Sequence, residues 1–246
     1  MRRWLSDRVA GPRPAWDRVG AVFTRDVTLF ETAKIRLLNG AHSALAYAGM
    51  QLGHDTVLEA ISDSSLRDFI RSMLQNEIVP TLRESAELNL STYIEEILER
   101  FRNPEIAYRL AQIAGDGSQK NRFRLYASIE ENLNAERSCS RPCFAVAAWI
   151  HAVLACHRGE RPMTDPAQEQ LMTIASQCSG AAERDVPLFV NAPGLFPNEL
   201  RNSRRFVDNL QASYRTIAQS PHAAMASLSQ LQPDPFPAVQ TTARAD

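Results

Sequence analysis

The chain has 246 residues, of which 44% are hydrophobic and 22% are charged, and its formal net charge is −1. It is long enough to bury one substantial core, and it has no general basic field that would favour nucleic acid or an anionic membrane. No apolar run reaches the ~20 residues of a membrane span, and the N-terminus lacks the apolar segment of a signal peptide, so we expect a cytoplasmic protein.

Residues 1–30 are predicted to be an extended segment. Glycine and proline punctuate Gly11-Pro12-Arg13-Pro14, which disfavours regular secondary structure there. The β-branched and aromatic run at 19–24 favours an extended stretch or a short strand.

Residues 31–48 predict an amphipathic helix that contains one anomaly. At 100° per residue its apolar residues fill an arc about 120° wide, and Lys34 lies in the middle of that arc, where a leucine is expected. Asn39 and His42 fall about 140° and 80° from Lys34 by the same arithmetic. Lys34 would also lie in the first helical turn, where the helix dipole disfavours another positive charge. The pattern therefore predicts an amine, an amide and an imidazole in one sector of the helix.

The scarcity of lysine singles out the same residue. Lysine occurs only at Lys34 and Lys120, and every other position of the Lys/Arg class is arginine. Arginine stays protonated in proteins, whereas a desolvated lysine can release its proton and act as an acid or base. The ordinary alternative is a lysine stem on apolar surface with its ammonium in water. The position of Lys34 within the apolar arc favours the functional interpretation.

Helical periodicity continues from 55 to 114, and composition then predicts a turn at Gly115-Asp116-Gly117-Ser118. Lys120 follows this turn. A cation behind a glycine-flanked loop can bind phosphate or carboxylate, but the P-loop pattern is absent and an ordinary surface lysine is the alternative. Arg122 and Arg124 add positive charge nearby, which suits an acidic sugar.

The second half of the chain predicts a buried helix, a last amphipathic helix and a tail. Residues 143–156 are apolar on almost every side, which is typical of a central buried helix. Residues 203–219 show amphipathic periodicity. From 220 to 246 the chain is rich in Pro, Ser, Gln and Ala without a periodic apolar face, so we expect a disordered tail.

The four cysteines predict neither a disulfide framework nor a metal site. They are too few for the first in a chain of this length, which favours a reducing compartment. Cys139-x3-Cys143 with Cys156-His157 resembles zinc spacing only loosely, because adjacent residues of a helix point about 100° apart. We therefore expect structural thiols and no metal.

Lys34-x4-Asn39-x2-His42 resembles the signature of the mannitol 2-dehydrogenase/fructuronate (mannonate) reductase family, the polyol-specific long-chain dehydrogenases, which work without a metal. The other matching stretches are Ala10-Gly-Pro-Arg-Pro-Ala-Trp16, Arg100-Phe-Arg-Asn-Pro104, Gln112-Ile-Ala-Gly-Asp-Gly-Ser-Gln-Lys120, Ala145-Val-Ala-Ala-Trp149 and Asp165-Pro166. The resemblance covers roughly residues 4–215 and only the C-terminal, substrate-binding half of the family.

The resemblance implies an enzyme that moves a hydride between NAD and the C2 position of a polyol or sugar acid. Lys34 would be the general base in oxidation and the general acid in reduction. Asn39 would donate a hydrogen bond to the developing alkoxide, and His42 would orient the substrate hydroxyl. Lys120 and Arg124 would reach hydroxyls or a carboxylate of the substrate.

The expected fold is mainly α: a multi-helix, bundle-like C-terminal domain over 31–219, preceded by an extended connecting segment over 1–30. No Gly-x-Gly-x-x-Gly follows a strand, so the Rossmann domain is absent from this chain, and NAD would be bound mainly by another domain. The chain would then be a fragment of a longer product, a split enzyme with a separate Rossmann-domain chain, or a relic. The competing class is a non-catalytic helical module that binds a sugar acid or a partner protein.

Overall fold

The computed structural model describes residues 3–6, 15–19, 21–24, 26–83, 87–105 and 108–230, and this part of the chain is mostly helical. The prediction of a mainly α fold is confirmed. Two short strands, β1 (Arg3–Ser6) and β2 (Ala21–Thr24), pair in parallel. The extended stretch predicted at 19–24 thus contains β2. Residues 10–14, which begin one of the matching motifs, lie outside the described residues.

The first half of the chain forms short helices, several of which continue into π-helical or 3-10 segments. The helices are α1 (Val27–Ala33), α2 (Gly40–Gln51), α3 (Val57–Ser62), α4 (Ser64–Met73), α5 (Leu90–Phe101), α6 (Leu110–Ala114), α7 (Gly117–Asn121) and α8 (Ala127–Asn134). Three π-helical segments continue them at Lys34–Asn39, Leu74–Ile78 and Arg122–Tyr126, and 3-10 turns lie at Trp16–Val19 and Val79–Thr81.

The second half contributes the central helix and the helices that cover it. These are α9 (Ser140–His157), α10 (Gln168–Ala175), α11 (Ala182–Val190), α12 (Asn198–Arg201), α13 (Arg204–Gln219) and α14 (Pro221–Gln230). The central helix α9 packs between α2 and α13, and Phe144 and Trp149 on it are fully buried. Removing these apolar side chains from water is the main driving force for the fold. The predicted buried helix at 143–156 is therefore confirmed.

The helix that carries the candidate site begins earlier than its sequence indicates. It begins at Val27, because the Asp26 carboxylate caps it by accepting a hydrogen bond of 3.2 Å from the Leu29 amide. Helical geometry then continues from α1 through Lys34–Asn39 into α2. Lys34 therefore lies about two turns from the N-terminus. The expectation that it occupies the first turn, under the influence of the helix dipole, is wrong.

The helix α14 lies within the segment expected to be disordered. That expectation is wrong for Pro221–Gln230, because α14 packs on α4 and buries Ala224 and Met225. Its apolar residues are too few and too closely spaced to stand out as a periodic pattern in the sequence. Residues 231–246 lie outside the described residues, and the division of the chain into domains stays a prediction.

We expect α14 to contribute to the stability of the fold. Replacing the buried Met225 by alanine should lower the free energy of unfolding by about 2 kcal/mol, because it leaves a cavity against α4. Ser227→Ala, at an exposed position of the same helix, is the matched control. Urea denaturation of both variants measures the difference, and equal stability would show that α14 does not pack in solution.

Candidate active site

The candidate site is built on the π-helical segment Lys34–Asn39. The Gly40 amide bonds the Ile35 carbonyl, five residues back, so each turn here takes in one more residue than an α-helical turn. Asn39 therefore lies about one turn beyond Lys34 on the same face of the helix. The α-helical arithmetic had separated the two by about 140°, and the wider turn removes most of that separation.

Both side chains are half-buried, whereas Leu37 and Leu38 of the same segment are buried in the core. Lys34 is thus less enclosed than a position in the middle of the apolar arc suggested. An amine that is partly desolvated and still reachable from outside can exchange a proton with a bound ligand. π-helical turns occur often at functional sites in proteins, which agrees with this location.

His42 lies at the start of α2, and its surroundings keep its imidazole neutral. The ring stacks on Phe101 of α5, with centroids 4.3 Å apart. Burial, and then the positive charges of Arg100 and Arg124, lower the pKa of His42 from 6.5 to about 4. At neutral pH the side chain is therefore an uncharged imidazole, with one nitrogen that can donate a hydrogen bond and one that can accept.

Arg124 reaches this helix from the second π-helical segment, Arg122–Tyr126. Its Nη1 atom donates to the Ser43 hydroxyl at 3.0 Å and lies 3.5 Å from the Asn39 carbonyl oxygen. The two segments can approach so closely only because residue 40 is glycine: a Cβ at Gly40 would lie 2.9 Å from the Arg124 carbonyl oxygen. Burial lowers the pKa of Arg124, and its guanidinium remains charged.

A buried polar pair joins the helix of His42 to the helix that precedes Arg124. The Tyr47 hydroxyl donates to the Asn121 amide oxygen at 3.3 Å, and both residues are fully buried. Burial raises the pKa of Tyr47, so its hydroxyl keeps its proton. Among the described residues, no partner is found for the Asn121 amide nitrogen. This pair connects α2 to α7, the helix that leads directly into the segment of Arg124.

Lys120 is held by its own turn. Its Nζ atom donates to the Gly115 carbonyl oxygen at 2.9 Å and forms an ion pair of 3.2 Å with Asp116. These contacts neutralise its charge locally and fix its direction. Of the predicted substrate-binding residues, the structure therefore brings Arg124 beside Asn39, whereas Lys120 contacts residues of the preceding turn.

Arg100 is a candidate site residue that was not predicted from the sequence. It lies at the end of α5, next to Phe101, and its charge acts on His42. It belongs to Arg100-Phe-Arg-Asn-Pro104, one of the stretches that match the family. In the sequence this stretch has only the pattern of the end of an amphipathic helix, which indicates no function. Only the packing of α5 against the π-helical segment of Lys34 reveals its position.

The described residues include neither a metal-binding group nor a membrane-spanning helix. No group of three or more His, Cys, Asp or Glu side chains among them could hold a metal ion. Cys139 and Cys143, considered for zinc, are buried thiols with their sulfur atoms 3.8 Å apart. The helices that the structure describes include none with the length and apolar character needed to cross a membrane.

The described residues form a mainly helical domain with a lysine, an amide and an imidazole on one helix, the pattern by which the sequence resembles the polyol dehydrogenases. Residues 26–218 match the family model described as the mannitol dehydrogenase C-terminal domain. This chain belongs to that family.

Similar proteins agree with this assignment. The D-mannonate oxidoreductase of Escherichia coli is 32% identical over 222 residues, which are 89% of this chain and 45% of the relative. The mannitol 2-dehydrogenase of Neosartorya fischeri is 32% identical over 220 residues, 87% of this chain and 43% of the relative. This chain therefore spans less than half the length of these relatives.

Two solved structures share the fold of this chain. Mannitol 2-dehydrogenase of Pseudomonas fluorescens, solved as a ternary complex with NAD and D-mannitol, superposes with a TM-score of 0.81 at 27% identity, over 91% of this chain and 45% of that one. A D-sorbitol dehydrogenase in substrate-free form shares the fold, with a TM-score of 0.79 at 22% identity, over 91% of this chain and 46% of that one.

His42 should make the stability of the protein depend on pH. Its pKa is about 4 in the folded state and 6.5 as the ordinary value, so the unfolded chain binds the proton more tightly. Stability should therefore be complete above pH 6.5 and fall as the pH drops towards 4, by roughly 3 kcal/mol from this residue.

His42→Gln removes this titration and should lose less stability than the unaltered chain between pH 7 and pH 4.5. The measurement is chemical denaturation at a series of pH values, with His157→Gln, at an exposed position, as the control. Parallel pH profiles for His42→Gln and the unaltered chain would show that the imidazole is not buried as described.

Proposed function

We propose that this chain is the catalytic, substrate-binding part of an NAD-dependent oxidoreductase that acts on a CH–OH group of a polyol or sugar acid. The observation that carries the proposal is the π-helical segment from Lys34 to Asn39, whose wider turn supports a common face for these two side chains close to a neutral His42. The named activities of the relatives, mannonate oxidoreductase and mannitol 2-dehydrogenase, support the reaction class.

Lys34 moves the proton of the reacting hydroxyl. In oxidation its amine takes the proton from the alcohol oxygen while the C–H bond breaks, and in reduction the ammonium returns the proton to the oxygen. A lysine can alternate between these two forms, whereas an arginine cannot. Its half-buried position leaves the amine accessible to a ligand.

Asn39 and His42 bind oxygen atoms of the substrate without changing charge. The Asn39 amide donates a hydrogen bond to the negative charge that develops on the reacting oxygen, which stabilises the transition state electrostatically. The neutral imidazole of His42 can donate to or accept from a substrate hydroxyl, and its stacking on Phe101 fixes the plane of the ring. A polyol, with adjacent hydroxyls, presents donors and acceptors that match both groups.

NAD would supply the acceptor of the hydride, and most of its binding site would lie outside this chain. The sequence has no Gly-x-Gly-x-x-Gly to hold a pyrophosphate, and the relatives are more than twice as long as the matched region. The parallel pairing of β1 and β2 supports this proposal. Parallel sheets are normally larger and covered on both faces, so this pair fits the edge of a sheet contributed by a nucleotide-binding domain.

The test is reconstitution. We expect the chain alone to show no hydride transfer, because the reaction needs the nicotinamide held against the substrate. Fusing the N-terminal half of the Escherichia coli D-mannonate oxidoreductase ahead of Met1, or adding it in trans, should give NAD-dependent oxidation of D-mannonate or D-mannitol, followed by NADH absorbance.

In this fused enzyme, Lys34→Met should abolish turnover, and Lys34→Arg should lower kcat by about 10²–10⁴-fold, the usual contribution of a general base. Glu31→Gln, at an exposed position one turn earlier, is the control for damage to the helix. A Lys34→Arg enzyme with unaltered kcat and melting temperature would exclude proton transfer by Lys34. Inactivity of the fused but folded enzyme would favour a non-catalytic binding module.

A further inference from the structure

Two arginines from different helical segments act on His42. Arg100 comes from the last turn of α5, next to the Phe101 ring that stacks on the imidazole at 4.3 Å. Arg124 comes from the second π-helical segment and is held by the Ser43 hydroxyl at 3.0 Å. Each arginine is thus tied to a direct neighbour of His42, either Phe101 or Ser43, and the positive charges of both lower the pKa of that imidazole.

Neither guanidinium is neutralised within the described part of the chain. No carboxylate of a described residue lies within ion-pair distance of Arg100 or Arg124, and the Arg100 side chain makes no hydrogen bond to those residues either. In contrast, Arg102, only two residues along, pairs with Glu99 at 2.8 Å, and Arg36 pairs with Glu131. The charge of Asp116 acts on Arg124, but its carboxylate pairs with Lys120 at 3.2 Å.

Both arginines are also half-buried, so water compensates their charge only in part. Removing a charged group from water without a partner is costly, and such groups in proteins normally have a counter-ion. Guanidinium groups bind carboxylates with short, directional and often paired hydrogen bonds. The missing partner is therefore expected to be an anion that enters with the ligand.

We propose that Arg100 and Arg124 bind the carboxylate of the substrate, so that the site takes an open-chain sugar acid in preference to the corresponding neutral polyol. This inference rests on the proposed function, since it assumes that the face of Lys34 and Asn39 is the substrate site. It assigns a specificity role to Arg100 and narrows the substrate class to polyhydroxy acids.

The neutral imidazole fits this assignment. A protonated His42 would compete with the arginines for the same anion and be repelled by them, whereas a neutral ring can bind a hydroxyl next to the carboxylate. Different residues would then bind the two parts of the substrate. Two fixed positive charges hold the acid group, and Lys34, Asn39 and His42 contact the hydroxylated carbon.

The test compares D-mannonate with D-mannitol, which differ in having a carboxylate or a hydroxymethyl group at one end. Binding is measured by calorimetry on this chain alone, and the KM ratio of the two compounds is measured on the fused enzyme. Arg100→Met and Arg124→Met keep most of the side-chain stem and lose the charge. Each should weaken the binding of D-mannonate by roughly 10- to 100-fold, because a hydrogen bond to a charged group is lost. Each variant should change the affinity for D-mannitol by less than about threefold.

Arg102→Met is the matched control, because Arg102 lies on the same helix end but is already paired with Glu99. Arg100→Lys should restore part of the preference, because it restores the charge but not the planar geometry. Equal affinity for both compounds, no measurable binding in either experiment, or equal losses for both compounds in the variants would overturn the proposal.

The two experiments also separate this inference from the proposed function. Selective binding of D-mannonate by a fused enzyme that does not turn over would support the carboxylate site and contradict catalysis. Turnover that prefers D-mannitol and is indifferent to Arg100→Met would support catalysis and contradict the carboxylate site.

Discussion

The candidate site depends on the close contact between two π-helical segments. At Gly40 the helix that carries Lys34 and Asn39 approaches the Arg124 carbonyl to within a distance that would leave no room for a side chain. This contact brings the Arg124 guanidinium to Ser43 and places its charge near His42. If the segments were ordinary α-helix, Asn39 would rotate away from Lys34, and Arg124 would no longer face the same group of residues.

Much of this could be predicted from the sequence, because helical periodicity and unusual residues are local signals. The buried helix α9 can be recognised in the sequence by its apolar residues on all sides, and Lys34 can be recognised by its place in an apolar stripe. The π-helical turns could not be predicted, since an extra residue per turn leaves composition and hydrophobicity unchanged. The partners of charged side chains are also set by tertiary packing. Glu77 and Arg141, which form a buried ion pair of 2.9 Å, carry no signal in the sequence.

The electrostatics of the site follow from burial and from two positive charges that form no ion pair within the described residues. The same arginines that lower the pKa of His42 leave a net positive field where an anionic ligand would be held. Under the proposed function, the neutral imidazole, the lysine and the amide would provide proton transfer and hydrogen bonding next to that field. Under the proposed function, NAD would be bound mainly outside this chain, which spans 45% of the mannonate oxidoreductase.

The central claim is that Lys34 and Asn39 contact the oxygen of the reacting carbon. The most direct measurement is a crystal structure of the fused enzyme with NADH and D-mannonate, in which the reaction cannot proceed. The account predicts the Lys34 Nζ and Asn39 Nδ2 atoms on one substrate oxygen, each at about 2.6–3.2 Å. A substrate whose reacting carbon lies next to another side chain, with the Lys34 amine directed into solvent, would contradict it.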